Sequence, residues 1–173
     1  MKVHVNTIQN DRLVVPLSDE QAWCVAACAR ATDGDVTAIS GELCLTVRSM
    51  HVDAHGAVRV AVDRSCDRCG ETTSLHLRDV FELAYYPEET LTDEERELAV
   101  DDLGVGWFEK DTIDLEQVLC EIICLTLPNR VLCSEESACD ARLKSLLGEA
   151  QVERLTGHPG FAALKGFGKD PRG

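Results

Sequence analysis

The spacing of apolar positions divides the chain into helical and extended stretches. Val3, Val5, Ile8, Leu13, Val14 and Val15 follow no helical period, so residues 2 to 17 read as an extended or looped lead-in that ends at Pro16. Ser18 with Gln21 three residues on has the form of a capping box, and the helix formers from Ala22 to Ala31 predict a helix over 19–31 that Asp33-Gly34-Asp35 stops. From Val36 the period becomes two. Ile39, Leu43, Leu45 and Val47 share one face against Ser40, Glu42, Thr46 and Arg48, which predicts a strand with one buried side. His51 to Gly56 reads as a turn. Val58, Val60 and Val62 make a second strand, and Leu75, Leu77, Phe81, Leu83 and Tyr85 a third that closes at Pro87. Short polar turns between the three imply an antiparallel meander.

Beyond Pro87 the pattern is lost in charge, since thirteen acids against Arg96 and Lys110 occupy residues 87 to 121. The run from Glu88 to Glu97 reads as a solvated helix or an acidic arm without fixed structure. Asp114 with Gln117 forms a second capping box, opening a helix over 115–127 that Pro128 ends. Its apolar stripe is Leu115, Val118, Leu119 and Ile122, while Cys120 and Cys124 lie on the opposite side, which predicts a helix sandwiched in the core with both thiols packed. Cys24 and Cys28, one turn apart on the first helix, read as core residues in the same way. A short helix over 140–150 carries Leu143, Leu146 and Leu147. The tail from Gly157 reads as frayed or docked only by Phe161 and Leu164.

These elements predict an α+β fold: a small antiparallel sheet or partly open β-barrel, completed by strands from residues 2 to 17, with covering helices and an acidic excursion. A length of 173 residues fits one domain, assigned to 1–155 with a C-terminal tail over 156–173.

Cys66-Asp67-Arg68-Cys69-Gly70 falls at the tip of the second hairpin. Two thiolates at this spacing converge on one soft ion, which makes half of a tetrahedral zinc site. Cys133 and Cys139 form a second candidate pair on a loop, although five intervening residues exceed the usual two to four. Zinc held by Cys66, Cys69, Cys133 and Cys139 is the candidate cofactor, and no other is expected. A thiol redox role for Cys66 and Cys69 is the competing chemistry, but such a pair normally follows a strand and opens a helix, whereas strands flank this one.

The net charge of −14 disfavours the phosphate backbone as a general partner and favours basic proteins. An aromatic content of 5% argues against a base-stacking platform. Arg48, Arg59, Arg64, Arg68 and Arg78 all fall in the meander and are the candidate RNA contacts, yet seven acids share residues 36 to 86 with them. Pairing with Asp63, Asp67, Glu71 and Asp79 is the plainer expectation for these arginines. Nine cysteines without a secretory signal or membrane-length apolar run imply a cytoplasmic chain with reduced thiols. No phosphate loop, nucleophile elbow or zinc-protease helix occurs, and the five histidines are scattered, so a non-enzyme is expected.

Three blocks in order carry a resemblance. They are Arg64-Ser65-Cys66-Asp67-Arg68-Cys69, then Ile113-Asp114-Leu115 with Glu121-Ile122-Ile123-Cys124-Leu125-Thr126-Leu127-Pro128, then Phe161-Ala162-Ala163-Leu164-Lys165. With the acidic span between the first two, the chain from about Val36 to Lys165 resembles the YceD family, the large ribosomal RNA subunit accumulation proteins, most recognisably over 36–139. The resemblance implies a non-enzymatic role in synthesis, processing or stability of 23S ribosomal RNA and in large-subunit assembly. The expected partner is a ribosomal protein or pre-ribosomal particle, with direct or indirect 23S RNA contact and neither membrane nor small-molecule substrate. The family's motif positions here are Cys66, Arg68, Cys69, Asp114, Leu115, Glu121 and Pro128. A structural zinc module of another role, or a thiol redox protein using Cys66 and Cys69, is the alternative.

Overall fold

Alternating apolar residues become the three long strands of a twisted sheet. The computed structural model describes residues 1–88 and 104–147. Strands β3 (Asp35–Val47), β4 (Val52–Ser65) and β5 (Thr72–Pro87) pair antiparallel, with Ile39 opposite Val60 and Val60 opposite Leu77. Ile39, Leu43, Leu45, Val52, Ala54, Val58, Val60, Leu77, Phe81 and Tyr85 are buried on the inner face. The turn between β3 and β4 lies at 48–51, not at His51–Gly56. It is closed by the Arg48 N–H to the His51 carbonyl (2.8 Å) and by Arg48 and His51 both reaching Asp53. Gly56 sits inside β4, where a Cβ would strike the Glu42 carbonyl of β3, so this glycine permits close approach of two strands and makes no turn.

The lead-in supplies a strand, as expected, but with other bounds. Strand β1 (Lys2–His4) is followed by two short 3-10 turns and then β2 (Arg12–Ser18), which pairs with β3. Pro16 lies within β2 opposite Glu42 and does not end it, because an edge strand tolerates a residue without an N–H. The other edge is β6 (Val105–Phe108), parallel to β5, giving the order β2-β3-β4-β5-β6. The sheet is therefore mixed and is not closed into a barrel, while the α+β class holds. A second, two-stranded sheet joins β1 to β7 (Thr112–Asp114) with Val3 opposite Ile113. Most of the acidic run falls at 89–103, outside the described residues, as does the tail from 148 onward.

Two helices cover the inner face. Helix α1 (Ala22–Thr32) begins later than its capping box suggests: Ser18 is used in β2 opposite Ser40, and Gln21 is the N-cap without a side-chain cap bond. Asp33 ends α1 in the left-handed conformation, its N–H on the Ala29 carbonyl. Cys24 and Cys28 are fully buried, as expected of core residues. Helix α2 (Leu115–Thr126) is capped as expected, the Asp114 carboxylate accepting from the Glu116 N–H at 3.1 Å. It buries Leu115, Val118, Leu119, Ile122 and Ile123, each worth ~1.5–3 kcal/mol of transfer free energy. The opposite face is not sandwiched. Cys120 is half-buried and Cys124 is exposed, so only the first of these thiols packs.

By compactness the chain divides into Met1–Ser134 and Glu135–Gly173. The second unit contains α3 (Glu136–Leu147), which starts earlier than predicted and places Cys139 on a helix instead of a loop. No helix among the described residues is long and apolar enough to cross a membrane.

Candidate metal centre

The hairpin between β4 and β5 turns through residues 66–71 in a way that presents two sulfurs on one side. Cys66 donates its N–H to the Glu71 carbonyl (2.8 Å), and Gly70 returns an N–H to the Cys66 carbonyl (2.9 Å). Gly70 has φ of 75°, a conformation that costs glycine nothing and lets the chain reverse directly after Cys69. Within the loop the Arg68 N–H points at the Cys66 sulfur at 3.5 Å.

Asp67 brings the second chain segment to this tip. Helix α2 ends at Thr126; its C-cap Leu127 has the extended backbone favoured before proline, and Pro128 cannot continue the helix. The chain then reaches Val131, which is bound twice by one residue. The Asp67 N–H donates to the Val131 carbonyl (2.8 Å), and the Val131 N–H donates to the Asp67 carboxylate (2.7 Å). Val131 is buried. Two residues further on, the Cys133 sulfur lies 3.5 Å from that of Cys69. The sulfurs of Cys66, Cys69 and Cys133 all fall within 4.8 Å of one another. Nothing in the period or spacing of the sequence singles out the Asp67–Val131 clamp, and Asp67 is an acceptor for the main chain, not the arginine partner it was expected to be.

The thiols differ in electrostatics. Cys66 is pulled down to about 6, first by the Cys69 N–H, then by the Arg68 N–H, with further contributions from Cys133, against the opposing effect of desolvation. Donors aimed at a sulfur favour its thiolate, which is the form that binds metal. A tetrahedral zinc–thiolate site, with bonds near 2.3 Å, holds its sulfurs about 3.8 Å apart, so the present spacing suits that ion. Cys66 and Cys69 are buried, and Cys133 is partly so. An all-sulfur donor set selects zinc or another soft ion over magnesium or calcium. Cys139, in the second unit, is buried in the first turn of α3, with its N–H on the Glu135 carbonyl at 3.1 Å. The tip joins strand β4 to strand β5, so Cys66 and Cys69 do not open a helix of their own, as a redox pair usually does.

The other motif positions are structural in this setting. Asp114 caps α2, Leu115 is fully buried below it, and the Glu121 carboxylate accepts from the Tyr85 hydroxyl at 3.3 Å. The five candidate arginines do not form one surface. Arg48 pairs with Asp53 in the β3–β4 turn, and Arg64 lines a cleft with Asp33, Asp35 and Asp63. Arg68 belongs to the cysteine tip. Arg59 and Arg78 stand directly opposite each other on neighbouring strands. The expected acidic partners are engaged elsewhere: Asp63 accepts from Ser74, and Asp79 from Thr126 and the Val80 N–H.

Comparison with known protein families matches residues 54–168 to a family described as large ribosomal RNA subunit accumulation protein YceD. Comparisons with curated proteins and with solved structures give no match. The cysteine tip, the capped helix α2 and Leu127-Pro128 all lie inside the matched span, which covers about two thirds of the sequence. The chain belongs to the YceD family.

Proposed function

We propose that this chain is a non-enzymatic cytoplasmic factor in the synthesis, processing or stability of 23S ribosomal RNA, and so in large-subunit assembly. The observation that carries this reading is the family match across residues 54–168, whose description names accumulation of the large ribosomal RNA. Residues 1–155 act as its working domain. The acidic stretch over 87–121 supplies charge complementary to a basic ribosomal protein or a pre-ribosomal particle. In cells lacking the protein, 23S RNA should fall relative to 16S RNA and large subunits should become scarce. Unchanged 23S RNA defeats the reading. Capture of pre-ribosomal components by the tagged protein should weaken as salt rises, because the attraction is electrostatic.

A second reading, compatible with the first, concerns the thiols. Cys66, Cys69, Cys133 and Cys139 serve as the four ligands of one structural zinc ion. What supports it is that the sulfurs of Cys66, Cys69 and Cys133 lie within 4.8 Å of one another. When bound, zinc would cross-link these residues as a closed tetrahedral centre without an open position for substrate. Within it, the Arg68 N–H would hold the Cys66 sulfur and Asp67 would hold the segment carrying Cys133. Metal analysis of protein purified without a histidine tag should find one zinc per chain, and Cys66→Ser should have none. Metal-free wild-type protein would end this reading.

A further inference from the structure

The outer face of the five-stranded sheet carries a line of hydrogen-bond donors that the proposed function leaves unused. Strand register places Ser18 of β2 opposite Ser40 of β3, Ser40 opposite Arg59 of β4, and Arg59 opposite Arg78 of β5. All four belong to the alternate positions that face away from the helices, since Leu17, Ile39, Val60 and Leu77 beside them are buried inward. Neighbouring strands are about 4.8 Å apart, so the line runs for about 14 Å across the sheet. Ser40, Arg59 and Arg78 are exposed, and Ser18 partly so.

Three features make this line unusual on a chain of net charge −14. Two guanidinium groups directly opposite on adjacent strands repel, which is locally destabilising unless an anion lies between them. No carboxylate among the described residues lies within ion-pairing distance of Arg59 or Arg78, in contrast to Arg48. The flanking positions are small or uncharged: Ala38, Ala61 and exposed His76 on one side, Ala57 and exposed Val80 on the other, with Glu42 as the one acid of these two rows. Ala38, Ser40, Arg59, Ala61, His76 and Arg78 line a shallow depression of about 290 Å³. Small side chains around raised donors allow a chain of phosphates to lie close to the sheet. The depression contains no Phe, Tyr or Trp ring, and His76 is the one aromatic side chain lining it.

We infer that the row Ser18, Ser40, Arg59 and Arg78 binds the phosphodiester backbone of single-stranded RNA. Arg59 and Arg78 take phosphate oxygens through their forked N–H groups, and the two serine hydroxyls extend the track toward β2. The inference rests on the proposed role in ribosomal RNA accumulation for its choice of nucleic acid. It narrows five candidate arginines to two, and it makes the contact a positioning one without base readout.

The test is the salt dependence of binding. A labelled single-stranded RNA oligonucleotide is titrated with the full chain between about 50 and about 200 mM salt, where each phosphate contact contributes about 0.7 to the slope of log affinity against log salt. Arg59→Ala and Arg78→Ala should each lower the slope by about 0.7, and the double variant by about 1.4 with affinity falling roughly tenfold or more. Arg59→Lys with Arg78→Lys should keep most of the slope, because the charges remain. Arg48→Ala, at a site already paired with Asp53, should leave it unchanged. A wild-type slope in the double alanine variant overturns the inference, as does a wild-type chain that captures ribosomal proteins but binds no RNA. The two readings fail separately. Normal 23S RNA in cells lacking the protein defeats the proposed function and leaves the slopes as they are, whereas an unchanged slope defeats this face alone.

Discussion

The thiols of the hairpin tip and those of the two covering helices are the same chemical group placed in opposite surroundings. At the tip, Cys66 receives main-chain N–H groups and is lowered to about 6. On α1, Cys28 has apolar neighbours, and burial pushes it up to about 12, with Cys24 and Cys120 adding to the shift. Both side chains have little accessible surface, but desolvation is the largest effect on Cys28 in the core, whereas at the tip it is outweighed by N–H donors. What lowers Cys66 is the direction of the surrounding backbone dipoles. A tight loop aims main-chain N–H groups inward at a sulfur, whereas a helix interior has already used its N–H groups on the preceding turn. A thiolate at the tip has the form that binds metal, and the buried thiols of Cys24 and Cys28 serve as small hydrophobes.

The strongest way to break this contrast is to remove a tip ligand. Cys66→Ser or Cys69→Ser should abolish zinc binding and lower stability by about 4 kcal/mol when zinc stands a thousandfold above its dissociation constant. Thermal unfolding with and without chelator measures it, and a wild-type midpoint that chelator does not move would remove the contrast. The matching change in the core, Cys28→Ser, should cost about 1–3 kcal/mol by burying a hydroxyl while leaving one zinc per chain. If it also loses zinc, the helix thiols are not merely packing.

A finer test addresses the clamp. Asp67→Ala removes the acceptor of the Val131 N–H, should cost about 1 kcal/mol, and should weaken zinc binding about tenfold without touching a sulfur. Competition with a chromogenic chelator reads the affinity, and an unchanged value would show that Cys133 is held by other means. The smallest effect is the pH dependence. The folded value of Cys66, about 6, lies below the ordinary thiol value of 9.0, so the unfolded chain binds more protons between them. The stability contributed by this group is therefore present in full above about 9 and is lost as pH falls through about 6. In chelator, the midpoint difference between wild type and Cys66→Ser should widen from pH 6 to pH 9. As an internal control, exposed Cys124→Ser should stay within about 0.5 kcal/mol of wild type at each pH.

Much of the fold is legible before any coordinates, and the reasons are local. Alternation between Ile39 and Tyr85 identifies three strands because each has one buried face, and the caps at Asp114 and Asp33 follow from the preferences of short acidic side chains. The errors arise where two local signals compete for the same residue. Ser18 is a good helix cap and equally a good edge-strand residue, and pairing with Ser40 took it. Gly56 has the look of a turn glycine, yet the approach of β3 uses it inside a strand. Strand β6 carries only four residues and pairs parallel to β5, so no hairpin signal announces it.

Period, caps and cysteine spacing by themselves determined the α+β class, the meander, the position of Cys66 and Cys69 at a hairpin tip and the burial of Cys24 and Cys28. They did so because each of these depends on residues within a few positions of one another. Only the tertiary structure decided that Cys133 reaches Cys69, through a two-way clamp between Asp67 and a segment more than sixty positions away. It alone decided that Arg59 meets Arg78 while Arg48 and Arg64 face acids. Register and loop docking bring distant residues together, and neither leaves a periodic trace in the chain.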